Sequence, residues 1–272
     1  MRRLIKAIIP LPARIALKRF GYGLHDLIDP IKAPRIPPRR NTFIGGGDFA
    51  TVGDSFRDTL IRHGLTDVMK VLDVGCGQGR MARPLIDILK WGRYTGFDID
   101  RSGIEWCQEK YSDLHKFKFE HADVFNARYN KGGQVLAKDY KFPYDTNAFD
   151  MVFLTSVFTH MFGEDIENYL SEIARVLKPG GKALITWFLW DNKDKPNPIL
   201  DFYHPIDDIS RTTLPQNPEA ALAFERAWVE ILYHDLNLKI ESVELGGWRE
   251  GVTDGSIQDL IIARKKNKFL EH

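Results

Sequence analysis

A chain of 272 residues, 43% hydrophobic and 28% charged, has enough apolar mass for one full core, which excludes a disordered or fibrous protein and fits one domain with additions. The net charge of +1 hides an asymmetry: residues 1 to 40 hold ten Lys or Arg against Asp26 and Asp29, a balance of +8 that leaves −7 for the rest, and a body so charged lacks the broad basic face that nucleic acid requires. The only cysteines, Cys76 and Cys107, supply neither a disulfide framework nor a metal ligand set, which points to a reducing, cytoplasmic setting.

Within the basic arm Leu4, Ile8, Leu11 and Ile15 follow helical spacing, with most basic residues opposite. Pro10 and Pro12 interrupt that pattern, so two short amphipathic pieces are expected rather than one helix. No apolar stretch approaches the roughly 20 residues that span a bilayer. Three readings of the arm stay open: peripheral contact with an anionic membrane surface, packing on the body or on a second subunit, and a targeting segment. The oligomeric state is not set by the sequence. Residues Pro30 to Arg40, with four prolines, read as an extended linker to a domain covering 41 to 272. Asp48 follows three glycines and is placed to cap a helix over 49 to 63.

From Val71 the patterns of strand and helix alternate, which predicts a parallel sheet with helices on both faces. Strands are expected near 69 to 74, 93 to 98, 116 to 121, 149 to 155, 182 to 188, 238 to 246 and 257 to 265. Helices are expected near 79 to 90, 101 to 112, 165 to 177 and 218 to 235. The first strand runs into Asp73-Val74-Gly75-Cys76-Gly77-Gln78-Gly79. Glycines there permit positive φ and a close approach of backbone to ligand, and a following helix would offer N–H groups to an anion. The second strand ends in Asp98-Ile99-Asp100, 25 residues beyond Asp73; an acid at this place accepts from ribose hydroxyls in nucleoside-binding folds, while Asp100 reads better as a helix cap. The third strand is followed by Asp123-Val124. Residues 126 to 143 and 191 to 218 are longer than a minimal fold requires and are the expected second-ligand lids. Lys178-Pro179-Gly180-Gly181 stops the third long helix, and Gly246-Gly247 joins the last two strands as a hairpin.

The D-x-G-x-G-x-G run differs from the dinucleotide spacing G-x-G-x-x-G and resembles the first motif of class I S-adenosylmethionine-dependent methyltransferases. The turn Leu177-Lys178-Pro179-Gly180-Gly181 is similar to theirs as well. The resemblance implies a Rossmann-like α/β fold with a seven-stranded sheet in the order 3-2-1-4-5-7-6, strand 7 antiparallel. It implies S-adenosylmethionine as cofactor, with Asp73, Gly75, Gly77, Gly79 and Thr155 around its methionine end. Asp98 would take the ribose, Ile99 would lie against the adenine, and Asp123 with the Val124 N–H would serve the adenine ring. A nicotinamide oxidoreductase and a non-catalytic cofactor-binding scaffold stand as alternatives.

The segment Thr155-Ser156-Val157-Phe158-Thr159-His160 follows the fourth strand. His160 is the best base for a hydroxyl acceptor there, or else a packed residue; His204 is a weaker second. Trp187, Trp190, Tyr203 and Trp248 either stack on a sugar or close the core. The segment lacks the Asn/Asp-Pro-Pro-aromatic signature of nucleic-acid amino methyltransferases. It resembles small-molecule and glycan methyltransferases of bacteria, which implies transfer to a hydroxyl of a small molecule, a sugar or a lipid-linked glycan, without a metal.

Overall fold

The computed structural model describes residues 11–28, 33–39, 47–127, 129–191, 200–252 and 255–267. The first basic piece of the arm lies outside these residues. The second does not end early: α1 runs unbroken over Leu11–Ile28. Pro12 sits in its first turn, where a missing N–H costs nothing, so it starts the helix instead of breaking it. The segment after it is tied down rather than free. The Arg39 backbone N–H donates to Asp26 (3.1 Å), and the Arg35 guanidinium forms an ion pair with Asp113 on the body (2.6 Å) while standing over the Tyr111 ring.

α2 (Phe49–Arg62) begins where expected, capped by Asp48, whose side chain accepts from the Thr51 N–H (2.9 Å). The main sheet comprises β1 (Lys70–Val74), β2 (Arg93–Asp98), β3 (Phe117–His121), β4 (Phe149–Leu154), β5 (Leu177–Trp187) and the two last strands of the chain, Leu238–Glu244 and Asp259–Lys265. The spatial order is β3-β2-β1-β4-β5, then Asp259–Lys265, then Leu238–Glu244 at the edge. β1 to β5 are mutually parallel and Asp259–Lys265 runs antiparallel to both its neighbours. Counted within this sheet, that is the 3-2-1-4-5-7-6 arrangement.

Alternation along the central strands builds two cores. Leu72, Val74, Val152, Leu154 and Ile185 face one side, against α5 (Gly163–Val176) and α6 (Arg226–Asp235) through Ile166, Leu170, Ile173 and Val229. Val71, Tyr94, Met151, Phe153 and Leu184 face the other, against α2, α3 (Ala82–Leu85) and α4 (Arg101–Lys110) through Leu60, Leu85, Ile104 and Cys107. One residue's shift in register would move each set to the opposite face and disrupt the packing of both cores, so the pattern fixes the pairing.

Three expected elements change. The helix expected over 79 to 90 keeps only Ala82–Leu85, because Pro84 carries no N–H to extend the ladder and the following turns tighten. The helix expected over 218 to 235 begins only at Arg226. Residues Leu222–Glu225 instead form β9, buried and paired between β6 (Leu189–Trp190) and β8 (Ser210–Thr212), with β7 (His204–Pro205) outermost, in a second four-stranded sheet. Burial in that sheet overrides the local helix preference of an alanine-rich run. The Lys178–Gly181 turn lies inside β5 rather than before it, looped out where the register slips between Phe149 and Met151, with Gly180 at φ +79°.

The last two strands are β10 (Leu238–Glu244) and β11 (Asp259–Lys265). Asp259 opens β11 opposite Trp187, the last residue of β5, so the 245–258 connection emerges at the carboxyl edge of the parallel strands. Buried Asp259 accepts from the backbone N–H groups of Leu189 and Gly246 and from Trp248 Nε1, each at 2.8 Å, and pairs with buried Arg249. A buried pair with its remaining valences met holds the connection in place; removing one partner would leave an uncompensated charge and cost about 3–5 kcal/mol.

Candidate active site

Sequence places three glycines in the loop after β1, and the structure separates their roles. All three have positive φ: Gly75 +79°, Gly77 +52°, Gly79 +73°. Gly75 and Gly77 line a cavity of about 1360 Å³. Gly79 does not; a Cβ there would press on Cys107 Sγ and Tyr111 Oη, each at 3.2 Å, so its smallness serves the seating of the loop on α4. The loop is fixed from β2. Gly75 and Cys76 donate N–H bonds to the Phe97 carbonyl (2.9 and 3.1 Å), and Gly96 must lack a Cβ because one would meet Cys76 Cβ at 2.8 Å. Cys76 and Cys107 are buried, and burial pushes both thiols up, which makes them packing residues rather than nucleophiles.

Asp98 lines the cavity and ties the loop to the sheet. Its Oδ2 accepts from the Gly77 N–H (2.7 Å) and its Oδ1 from the Asp100 N–H (2.8 Å). Burial raises its pKa, against these amide bonds. Each carboxylate oxygen retains a second lone-pair direction for a ligand hydroxyl. Asp100 caps α4 through the Ser102 N–H (3.1 Å). Ile99, Val124 and Thr155 also line the cavity. Asp123 does not: its side chain is exposed, and its carbonyl accepts from Gln134 and Val135 (3.1 and 3.2 Å), holding the 126–143 insertion. That insertion reaches the cavity through Asn126, Tyr129, Leu136 and Lys138.

Asp73 is fully buried and faces the same cavity. Tyr94 Oη donates to its Oδ2 (2.6 Å), while its Oδ1 has no hydrogen-bond partner among the described residues. Burial raises the Asp73 carboxyl to about 8, against the Tyr94 bond and reinforced by the Asp98 charge. A carboxyl raised in this way is protonated in the fold and ionised in the unfolded chain between about pH 4 and pH 8. Stability is therefore lost as pH rises through that window, by at most about 1.4 kcal/mol per pH unit. Asp73→Asn should flatten the slope, which chemical denaturation of both proteins from pH 5 to 8 would show; equal slopes would mean that Asp73 is ionised in the fold.

His160 sits in the Phe158–His160 turn and lines the cavity. Its Nδ1 lies 2.7 Å from the Glu219 carbonyl. A carbonyl only accepts, so Nδ1 carries the proton and the neutral ring has its lone pair on Nε2, the arrangement a general base needs. Tyr129 meets its ring edge-on, centroids 6.2 Å apart.

The contribution of the 245–258 connection to the rest of the wall was not legible in the sequence. Phe49, Val52 and Phe56 come from α2, and Leu245, Ile257 and Gln258 from the 245–258 connection. Phe125, Leu136, Leu245 and Ile257 are large apolar side chains that stay exposed while lining this cavity. Ser156, held in the left-handed region at φ +58°, donates to Gln258 Oε1 (3.0 Å), and Gln258 Nε2 points back to Thr159 Oγ1 (3.4 Å). The expected aromatic platforms are elsewhere. Trp187 and Trp248 are completely buried in aromatic clusters with Phe158 and with Phe188 and Phe202; Trp190 stacks under Arg211. Tyr203 and His204 are exposed and not among the lining residues, nor is any described residue of 191–218. The described residues of the second lid instead supply β7 and β8 of the small sheet.

The residues present fit a nucleoside-type cofactor with a charged end. The glycine loop leaves backbone room, Asp98 offers acceptor oxygens, Asp73 Oδ1 is a buried polar atom with no partner among the described residues, and the volume exceeds what one ligand of ordinary size fills.

Residues 72–185 match the family described as a methyltransferase domain. Over 156 residues the chain is 33% identical to a sterol 24-C-methyltransferase of Gibberella zeae, covering 52% of this chain and 36% of that protein. Over 117 residues it is 34% identical to a fatty-acid O-methyltransferase of Mycolicibacterium smegmatis, covering 43% and 36%. The aligned part thus spans little more than a third of either relative. A solved methyltransferase structure from Methanosarcina mazei superposes with a TM-score of 0.51 at 20% identity, covering 76% of this chain and 97% of the other, a likeness of fold. With the glycine loop, the sheet order and the matched family in agreement, the chain carries a class I S-adenosylmethionine-dependent methyltransferase domain, and S-adenosylmethionine is its cofactor.

Proposed function

We propose that this protein transfers the methyl group of S-adenosylmethionine to a hydroxyl of an apolar, lipid-like acceptor. The observation that carries this reading is the wall facing the cofactor loop. Phe49 and Phe56 give it an apolar floor, and Phe125, Leu136, Leu245 and Ile257 line the same cavity while exposed; exposed apolar side chains gathered at one cavity mark a binding face. Ser156 and Gln258, the latter steadied by buried Thr159, add a small polar group, as expected where one oxygen of a mostly hydrocarbon ligand must be oriented. The sterol and fatty-acid specificities named for the two relatives support an apolar acceptor over a free sugar.

Bound S-adenosylmethionine supplies an electrophilic methyl group on a sulfonium. The chain's task is to hold the cofactor through the glycine loop and Asp98, keep water out with the apolar wall, and accept the hydroxyl proton at His160 Nε2 as the new O–C bond forms. Incubating the enzyme with methyl-labelled S-adenosylmethionine and a lipid extract should place label in the organic phase, in a product stable to mild base if it is an ether. Label confined to the aqueous phase would contradict the apolar acceptor, and a label retained on a carbon skeleton after ether cleavage would move the reaction to carbon.

A further inference from the structure

We propose that one face of α1 docks on an anionic phospholipid surface. Leu17, Phe20, Leu24, Leu27 and Ile28 recur at the three- and four-residue spacing that sets them on a single helical face. Each is between 53% and 80% exposed. A stripe of this kind on a helix in water loses the contacts that would stabilise it, and is the pattern by which helices lie in a membrane interface.

Charge decides between a lipid and a protein occupant. The acid of the helix, Asp26, is buried and stands nearly half a turn round from the stripe, engaged by the Arg39 N–H (3.1 Å) and guanidinium (3.7 Å). Up to Ile28 the sequence carries six basic residues, Arg2, Arg3, Lys6, Arg14, Lys18 and Arg19, against the single acid Asp26. An exposed apolar stripe on a segment with this basic excess is complementary to a hydrocarbon boundary under negative headgroups. A second copy of the same segment would bring two chains of like charge together.

The tie at Arg39 and the Arg35–Asp113 ion pair hold the helix end near the body, so docking would bring the whole enzyme to the surface. Each Lys or Arg beside an anionic surface is worth about fivefold in affinity. No helix among the described residues is long and apolar enough to cross a membrane, which leaves lying on the surface as the mode. The inference stands apart from the acceptor reading, since it rests on α1 alone.

The test is flotation of the full chain with vesicles of phosphatidylglycerol and phosphatidylcholine. At 20 mM salt the protein should rise with the vesicles, and it should stay behind with pure phosphatidylcholine or at about 0.5 M salt, where screening shortens to a few Å. The double variant Phe20→Glu, Leu24→Glu should lose at least about tenfold in partition while keeping cofactor affinity and thermal midpoint, because neither side chain is part of the core. Equal flotation of the variant, or none by the unaltered chain at low salt, would overturn the proposal. So would a dimer in sedimentation without vesicles that the same two substitutions convert to monomer, which would give the face to a second copy.

Discussion

Gly75→Val should abolish measurable binding of S-adenosylmethionine, a loss of at least about a hundredfold. The cause is local geometry. Gly75 stands at φ +79°, and a Cβ built there lies 2.3 Å from Val157 Cγ2, too close for any adjustment short of moving the loop or the segment after β4. A β-branched residue in the left-handed region adds about 1–3 kcal/mol of strain. The first collision is with the protein's own Val157, which joins the donor loop to the segment bearing His160. Gly77→Ala separates the two effects. At φ +52° with nothing within 4 Å of its Cβ, that variant should fold with a modest penalty and weaken the cofactor only by crowding the cavity. Calorimetric titration paired with thermal melts would read both, and a Gly75→Val protein that binds normally would remove the loop from the site.

His160→Ala should lower turnover by about 10² to 10⁴ with cofactor affinity unchanged, the range expected when a positioned base is removed from an oxygen acceptor. The fixed tautomer makes this specific. The Nδ1–H bond to the Glu219 carbonyl holds the ring from one side, so the substitution deletes the Nε2 lone pair and loosens the 158–160 turn without touching the glycine loop. Comparison with His160→Gln controls for the turn: glutamine can keep a donor to Glu219 and supplies no base. If His160→Gln turns over at the normal rate while His160→Ala does not, the histidine positions the turn and is no base.

The cofactor half of the site was more legible than the acceptor half for a physical reason. Gly75, Gly77, Asp98, Ile99, Val124 and Thr155 lie just after parallel strands whose carboxyl ends meet at one edge, so periodicity that locates the strands also locates these residues. Gly79 and Asp123 follow the same spacing, yet one packs on α4 and the other faces solvent. Spacing assigns a position along the edge and cannot assign the direction of a side chain. The apolar wall comes from α2 and from the 245–258 connection, brought over the edge by the antiparallel pairing of β11 with β5 and anchored by Asp259. No local pattern announces a contact made across more than 180 residues. The buried strand Leu222–Glu225 escaped for the related reason that its partner in β8 decides its conformation.

The most direct test of the site is a calorimetric titration of the full chain with S-adenosylmethionine, its demethylated product and NAD under identical conditions. Engagement of Asp98, the glycine loop and the Asp73 end predicts dissociation constants of order micromolar for the first two, about 8 kcal/mol of binding free energy, and NAD weaker by at least about a hundredfold. Asp98→Ala should cut the first two by about 1–3 kcal/mol through lost charge-assisted bonds. NAD binding as tightly as S-adenosylmethionine, or Asp98→Ala binding S-adenosylmethionine as well as the unaltered chain, would contradict the placement of the cofactor.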